Sequence, residues 1–185
     1  NMNMKIEPYF QQLYDVPVIA DSSYSVLNRR DFYVENALVN RGKGRNIGVD
    51  ITLERYLNKG LYYMVTASIF DSKYYGGDRK WRNTLYNRNF IVNVLGGKEW
   101  MVGRDKQNMF SVNFKITLQG GDRYAPVDEV ATLLDPDREV QYDETKAFSK
   151  QFSPMFITNF SVGYKINRKK VSHEFSIKSL NTTGC

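Results

Sequence analysis

The sequence has little of what most enzymes use for chemistry, since it contains one cysteine and one histidine in 185 residues. Cys185 stands alone and cannot form a disulfide within the chain. His173 lies beside Glu174, but no second histidine, internal cysteine or nucleophile setting accompanies this pair, which argues against acid–base catalysis. We therefore predict that the chain is not an enzyme, has no catalytic residues and needs no cofactor.

Long hydrophobic runs are also missing. No stretch of eighteen apolar residues occurs, so the sequence excludes a transmembrane helix. This absence does not exclude a transmembrane barrel, because its strands alternate and leave only a weak hydropathy signal. What the sequence has in abundance is aromatic side chains, with 13 Tyr, 11 Phe and 2 Trp. Aromatic residues favour pleated, half-buried surfaces, so the composition favours β-structure.

The positive net charge of +6 raises nucleic acid as a partner. Most of the basic residues, however, are scattered singly along the chain. The two exceptions are the group Arg41, Lys43 and Arg45 and the run 168–170. We interpret both as solvated turns, and neither lies in a recognised nucleic-acid motif. The sequence thus predicts no nucleic-acid partner.

The strongest pattern is a period of two. Apolar and polar residues alternate from Ile47 to Leu53, from Leu61 to Ile69, from Phe110 to Leu118 and from Asn159 to Ile166. Such alternation places the apolar side chains on one face of a sheet and the polar ones on the other. Three further segments are predicted as strands, at about 5–13, 88–101 and 171–180, which makes seven.

The lengths of the strands and of their connections favour a membrane barrel. Each predicted strand has about ten residues, whereas globular strands cluster near five or six and tilted spanning strands need about nine to eleven. Short polar connections, near residues 58–60, 103–107 and 167–170, alternate with long ones at about 14–43, 75–87 and 119–154. Short turns at one end and long loops at the other are typical of outer-membrane barrels.

An aromatic belt is predicted at the end of the sheet that carries the short turns. Parity places five aromatic side chains on the apolar face near those turns: Tyr63, Trp100, Phe110, Tyr164 and Phe175. Aromatic rings of this kind settle at the headgroup level of a membrane.

The fold predicted from these patterns is all-β, an antiparallel up-and-down transmembrane β-barrel segment in a single domain, 1–185. Seven strands do not close a bacterial barrel, because such barrels have an even number, so we expect further strands outside this chain. Two alternatives stay open. One is a soluble or surface-attached β-sandwich that binds carbohydrate or protein, and the other is a small closed barrel of eight strands.

Four segments carry a resemblance to a known family. They are LVNRGKGRNIGVD at 38–50, WRNT at 81–84 with Asn87 following, GGDRYAPVD at 120–128 and INRKKVSHEF at 166–175. In order and spacing this chain resembles the C-terminal part of the barrel of TonB-dependent outer-membrane receptors of the Bacteroidetes. The resemblance covers most of the chain, from about Tyr9 to Leu180.

The resemblance implies a 22-stranded barrel in the outer membrane of a Gram-negative bacterium, filled by a plug and powered through the TonB complex. Receptors of this family import siderophores, haem, cobalamin, glycans or peptides. The implied partners are outer-membrane lipid, a nutrient ligand, the TonB complex through the plug, and a surface lipoprotein. We expect the plug domain and the terminal strands to lie outside this chain.

A candidate ligand site is predicted at the end with the long loops. Arginine, tryptophan and asparagine side chains occur together there and suit an anionic or polar ligand through charge-assisted hydrogen bonds and ring stacking. The alternative is that they only brace the loops against each other. The candidate residues are Arg79, Trp81, Arg82 and Asn83 in one loop and Arg123 and Tyr124 in the next.

The acidic residues of the third long loop do not form an EF-hand. Asp135, Asp137 and Glu139 have the spacing of a calcium loop, but Val140 stands where glycine is needed and Lys146 where glutamate is needed. We predict a solvated acidic loop and no metal site.

Overall fold

A computed structural model of the chain describes residues 2–29, 34, 36–137 and 139–183; Cys185 lies outside them. The elements in the described residues are β1 (Met2–Ile19), β2 (Leu38–Asn58), β3 (Leu61–Tyr75), β4 (Trp81–Asn83), β5 (Phe90–Val102), β6 (Asn108–Gln119), β7 (Arg123–Tyr124), the helix α1 (Glu129–Leu134), β8 (Lys150–Gln151), β9 (Met155–Asn167) and β10 (Ser172–Ser179). Single 3-10 turns lie at Val26–Asn28 and Glu144–Lys146. No helix among these residues has the length and apolar character needed to cross a membrane.

The seven long strands form one antiparallel sheet in the order β1-β2-β3-β5-β6-β9-β10, and β4 pairs with the end of β3. Each long strand is therefore hydrogen-bonded to the long strands that precede and follow it in sequence. This confirms the all-β fold class and the up-and-down antiparallel order. β7 and β8 form a separate two-stranded ribbon. In the part of the chain that the structure describes, β1 and β10 are the two edges of an open sheet.

The connections alternate in length as predicted. β2 and β3 are joined by Lys59 and Gly60, whose φ angles of 50° and 76° are both positive. A two-residue hairpin loop of the primed type requires this conformation, because its twist matches that of the strands. The turns between β5 and β6 and between β9 and β10 are also short, whereas the connections β1–β2, β3–β5 and β6–β9 are long.

One expectation from the sequence is wrong. Arg41, Lys43 and Arg45 do not lie in a turn, because β2 begins at Leu38 and includes all three. The strand continues this far because its neighbours β1 and β3 are long enough to pair with it, as in the pairs Gln12↔Arg45 and Lys43↔Tyr75. The second basic cluster, 168–170, does lie in a turn, between β9 and β10.

The apolar side chains predicted to share one face do so in register across the strands, and that face is uncovered. Ile51 pairs with Ala67, which in turn pairs with Val92. Exposed fractions on this face are 55% at Ile6, 58% at Ile69 and 80% at Ile177. The buried hydrophobic residues lie elsewhere, at the end of the sheet that carries the long connections: Val16, Val18, Tyr74, Leu85 and Ala147.

The opposite face is polar and its side chains bond to one another across the strands. Asn93 Nδ2 donates to Thr66 Oγ1 on one side at 3.4 Å, and Asn93 Oδ1 accepts from Thr117 Oγ1 on the other at 2.8 Å. Ser68 Oγ donates to Asp50 at 2.6 Å. These bonds satisfy polar groups within the sheet itself, so this face needs only water or another polar surface against it.

Candidate functional site

The long connections pack against one another at one end of the sheet, in a region that we call the loop cap. It comprises the described parts of residues 20–37, 76–89 and 120–154 together with the strand ends that they cover. Asp78 N donates to Ser22 O at 3.0 Å, and the Ser22 hydroxyl donates to Glu144 Oε2 at 3.2 Å. Ser22 of the first connection thus links the second connection, through Asp78, and the third, through Glu144. A Cβ at Gly77 would lie 1.8 Å from Ile19 O, so only glycine permits this close approach.

The Arg82–Asp78 ion pair lies at the centre of the loop cap. The guanidinium of Arg82 donates to both carboxylate oxygens of Asp78, at 2.8 and 2.6 Å. Their side chains are only 7% and 19% exposed. The hydrogen bonds from Arg82 hold the pKa of Asp78 below its usual value, and Asp78 in turn raises the pKa of Arg82. Arg82 Nη2 also reaches Thr145 O at 3.4 Å, which ties the second long connection to the third.

A second polar cluster is centred on Asn87, which is completely buried. Its Nδ2 donates to Asp71 Oδ1 at 2.9 Å and to Asn83 Oδ1 at 3.0 Å. Arg123 donates to Asn87 O and to Asn89 Oδ1, both at 2.8 Å. Burial lowers the pKa of Arg123. Asn83 and Arg123 are therefore held by protein partners and brace the second connection against the third.

Trp81 has a different environment, because its indole is 46% exposed. Its ring packs against Tyr75 with centroids 5.5 Å apart. The Arg45 guanidinium lies 5.7 Å from the Trp81 ring, and Lys43 Nζ lies 5.9 Å from the Tyr75 ring. These distances fit cation–π contacts. The group belongs to the same face of the sheet as the apolar residues, since Tyr75 pairs with Lys43 and Trp81 pairs with Tyr75.

The remaining two residues of the predicted ligand site, Arg79 and Tyr124, have different environments. Arg79 is exposed and adopts a φ of 62°; its backbone N–H donates to Gly76 O at 3.1 Å, but its side chain has no hydrogen-bond or ion-pair partner among the described residues. Tyr124 stacks on Phe152, with ring centroids 4.4 Å apart, and thereby closes the β7–β8 ribbon. Of the six residues predicted as a ligand site, Arg82, Asn83, Arg123 and Tyr124 are engaged in bracing contacts, whereas Arg79 and Trp81 present free surface.

The sequence did not predict a cleft on the other face, below the loop cap. This cleft of about 180 Å³ has an apolar side formed by Leu13, Leu27 and Tyr86 and a polar side formed by Asn46, Ser72 and Thr84. These side chains form a hydrogen-bonded series: Thr84 Oγ1 donates to Ser72 Oγ at 2.9 Å, and Ser72 Oγ donates to Asn46 Oδ1 at 2.6 Å. Asn46 Nδ2 donates onward to Gln11 at 2.8 Å. Asn46 and Ser72 lie just outside the alternating segments predicted from the sequence, and extending the same alternation by one residue before Ile47 and three beyond Ile69 would have placed both on the polar face.

The acidic loop satisfies its carboxylates with its own backbone. Asp135 Oδ1 accepts from the N–H of Asp137 at 2.9 Å and of Glu139 at 3.3 Å. Hydrogen bonds from Thr145 and Lys146 lower the pKa of Asp143 to about 2. Within the described residues, no three histidine, cysteine or acidic side chains are grouped so that they could hold a metal ion.

No protein-family model, curated protein or solved structure matches this chain. The class of protein can therefore be described only from the structure itself. It is an all-β chain whose main sheet has one polar face and one uncovered apolar face, with a braced cap over one end.

Proposed function

We propose that this chain is a segment of the β-barrel of a TonB-dependent outer-membrane receptor, which binds a nutrient and imports it across the outer membrane of a Gram-negative bacterium. The observation that carries the proposal is the apolar face, which extends over the seven long strands and is uncovered. One charged residue of this face near the short turns, Lys98, donates from Nζ to the backbone carbonyl of Lys59 at 2.7 Å. In water such a face is unfavourable, because burial of apolar surface is the main driving force of folding. Acyl chains of a bilayer would cover it.

The dimensions of the strands fit a bilayer. Six of the long strands contain 12 to 21 residues, and β10 contains 8. A tilted strand needs about nine to eleven residues to cross the hydrocarbon core. In β3 the apolar positions run from Leu61 to Ile69 and end at Asp71, which pairs with Lys73 at 3.3 Å. Charge thus begins where the hydrocarbon would end.

An aromatic row supports the position of one membrane interface. Trp100 pairs with Phe110, Phe110 with Tyr164, and Tyr164 with Phe175, so four aromatic side chains lie side by side on four successive strands. The rings of Trp100 and Phe110 are 5.7 Å apart. Tyr63, the fifth residue of the predicted belt, lies on the same face but pairs with Gly96 in another row. Aromatic girdles of this kind flank the apolar band of membrane barrels.

The polar face would line the interior of the barrel, where it meets water or the plug. The free edges of β1 and β10 would pair with further strands of the parent barrel, because unpaired backbone groups are costly in hydrocarbon. The short turns would lie in the periplasm and the loop cap outside the cell. The nutrient would enter by the loop cap and the cleft beneath it, and the TonB complex would act through the plug.

A surface lipoprotein is the proposed partner of the loop cap. Val130, Leu133 and Leu134 of α1 are 67%, 84% and 77% exposed, which is unusual for apolar side chains on one short helix. In the proposed orientation α1 faces away from the membrane. These side chains would suit an apolar protein partner at the cell surface.

Fractionation of the intact protein that contains this chain tests the proposal. We expect it in the outer-membrane fraction, and we expect unheated samples to migrate faster on denaturing gels than heated ones, because a closed barrel resists detergent until boiled. A stable presence in the soluble fraction, with the apolar face protected by a second sheet, would favour the β-sandwich binding module instead. Uptake of candidate nutrients by cells with and without the protein would then test transport.

A further inference from the structure

The basic residues that the sequence suggested to be a turn form a row on one strand. Arg41, Lys43 and Arg45 are alternate residues of β2, and all three are exposed, whereas the intervening Gly42 and Gly44 are buried. We call these three side chains the basic stripe. Alternate residues of a regular strand point to the same side and are spaced by about 7 Å, which applies to Lys43 and Arg45. Arg41 follows at a β-bulge of β2, where the register shifts between the pairs Val16↔Gly42 and Pro17↔Asn40.

The basic stripe continues the apolar face without a break. The next residues of the same parity in β2 are Ile47, Val49, Ile51 and Leu53. The cross-strand partners agree, because Ile47 pairs with Asp71 and Arg45 pairs with Lys73. The stripe therefore begins where the apolar band ends, on the outward side of the sheet and at the end of the loop cap.

No acidic side chain of the described residues neutralises the positive charge of the basic stripe. Among the described residues, none of its three side chains forms a salt bridge, and Asp71 is already paired with Lys73. Asp15 lies in the β1 bulge opposite this part of β2 and is exposed, but it forms no ion pair in the described structure. The contacts that the stripe does make are with aromatic rings, Arg45 with Trp81 and Lys43 with Tyr75.

We propose that the basic stripe binds the phosphate-bearing headgroups of lipids in the outer leaflet. This inference rests on the proposed function, since it needs the apolar face to be in a bilayer. Guanidinium groups bind phosphate through two parallel hydrogen bonds, and ammonium groups bind it as point charges. Headgroup phosphates lie just above the acyl chains, which is the level of the stripe. Trp81 and Tyr75 beside it are suited to the same interfacial layer.

Because the side chains of the basic stripe point to the apolar face, a soluble nutrient is not the expected ligand of the stripe. Nutrients pass through the interior of the barrel, which the polar face lines, whereas the stripe shares its face with Ile47 and Val49. A site for transported anions would be expected on the parity of Asn46 and Ser72. Lipid is the partner that meets both the charge and the position of the stripe.

The test compares two lipids around the intact protein that contains this chain. The protein is reconstituted into nanodiscs of phosphatidylcholine with a minor fraction of phosphatidic acid, and the lipids that it retains after mild delipidation are counted by mass spectrometry. We expect phosphatidic acid to be enriched over its share of the nanodisc. Each basic side chain near an anionic surface contributes a factor of about five. The combined variant Arg41→Gln, Lys43→Gln, Arg45→Gln should therefore abolish the enrichment, because three such factors multiply to about a hundredfold.

A matched control removes the same charge from the polar face. Lys115, Lys165 and Lys178 lie on that face in β6, β9 and β10. Their combined replacement by glutamine should leave the enrichment unchanged, because these side chains point away from lipid. Equal losses in the two triple variants would overturn the proposal, since they would indicate a response to net charge alone.

The remaining outcomes separate this inference from the function on which it rests. A protein that enters the nanodisc but shows no enrichment of phosphatidic acid contradicts only the basic stripe. A protein that does not enter the nanodisc contradicts the barrel proposal and the stripe together. Displacement of phosphatidic acid by micromolar inorganic phosphate would indicate a site for soluble phosphate and would overturn the assignment to lipid.

Discussion

The loop cap and the apolar band of the sheet both contain aromatic and aliphatic side chains, yet they are packed in opposite ways. In the loop cap Val18 and Tyr74 are completely buried, and polar groups such as Asn87 are buried with specific partners. In the band Ile69 and Ile177 are 58% and 80% exposed. The centre of the cap is packed like the interior of a water-soluble protein, whereas α1 at its surface is exposed. In the band, hydrogen bonds between strands order the backbone, but no other part of the described chain packs against the apolar side chains.

This difference implies that the two regions respond to different perturbations. The loop cap should depend on individual partners, because an unpaired buried polar group is costly. The band should depend on the apolarity of one face and tolerate change on the other. Four predictions test this division, and each one is made against a matched control.

The largest effect is expected from Arg82→Ala. The change leaves the carboxylate of Asp78 buried without its partner, and loss of one member of a buried ion pair costs about 3–5 kcal/mol. Amide hydrogen exchange should show faster opening of residues 76–89 and of the loop around Thr145, with little change in β5 and β6. The control is Arg79→Ala, which removes an exposed arginine without a partner and should leave exchange unchanged. Equal effects of the two variants would refute the bracing role.

The second effect concerns the band. Val65→Arg puts a charge in the middle of the apolar face, which costs about 2–4 kcal/mol at the midplane of a bilayer. The adjacent Thr66→Arg puts the same charge on the polar face and should be much better tolerated. The measurement is the folded fraction of the intact protein in vesicles, read from heat-modifiable migration. If Val65→Arg folded as well as Thr66→Arg, lipid would not be the covering of this face.

The third effect tests the close approach within the loop cap. Gly77→Ala directs a methyl group at the backbone carbonyl of Ile19, only 1.8 Å from the new Cβ, so the chain must shift. Overpacking of this kind costs about 1–3 kcal/mol. Gly163→Ala in β9 is the control, because its new Cβ meets the side-chain hydroxyl of Ser111 at 2.8 Å, which can rotate away. Limited proteolysis of the loops should distinguish the two variants.

The smallest effect is a pH dependence of the loop cap. The pKa of Asp78 is lowered in the folded state by Arg82. The ionised carboxylate therefore stabilises the fold above its unfolded pKa, and this contribution is lost as the pH falls through the folded pKa. The opening free energy of the cap amides, taken from exchange rates corrected for the intrinsic pH dependence of amide exchange, should fall at acidic pH in the native protein and less so in Asp78→Asn. A pH response that is identical in the two proteins would assign it to another group.

The sequence predicted the regular part of the fold because strand alternation is a local property. Each of the segments beginning near Ile47, Leu61, Phe110 and Phe160 shows its apolar face within nine residues, and the structure confirms these strands. The turn at Lys59–Gly60 was equally local. The extent of β2 was not, because its first residues are polar and glycine-rich and become a strand only through pairing with β1 and β3. For that reason the position of Arg41, Lys43 and Arg45 was mispredicted.

For the candidate site too, one part could be predicted from the sequence and another could not. Its location at the long-loop end followed from the order of strands and connections. The role of each residue did not, since Arg82 contacts Thr145 across 63 positions and Arg123 contacts Asn87 across 36. Contacts of this kind depend on how separate loops fold over one another. Nothing in the residues near Arg82 distinguishes it from Arg79, although one is buried in an ion pair and the other is exposed.

By itself the sequence determined which side chains share a face, because a period of two is fixed by the geometry of the extended backbone. It also indicated which connections are short, because short polar segments with glycine, asparagine or aspartate stand between the alternating strands. Only the tertiary structure decided what each face meets. Burial depends on chain segments that are distant in sequence, and here they cover the strand ends under the loop cap and leave the apolar band open.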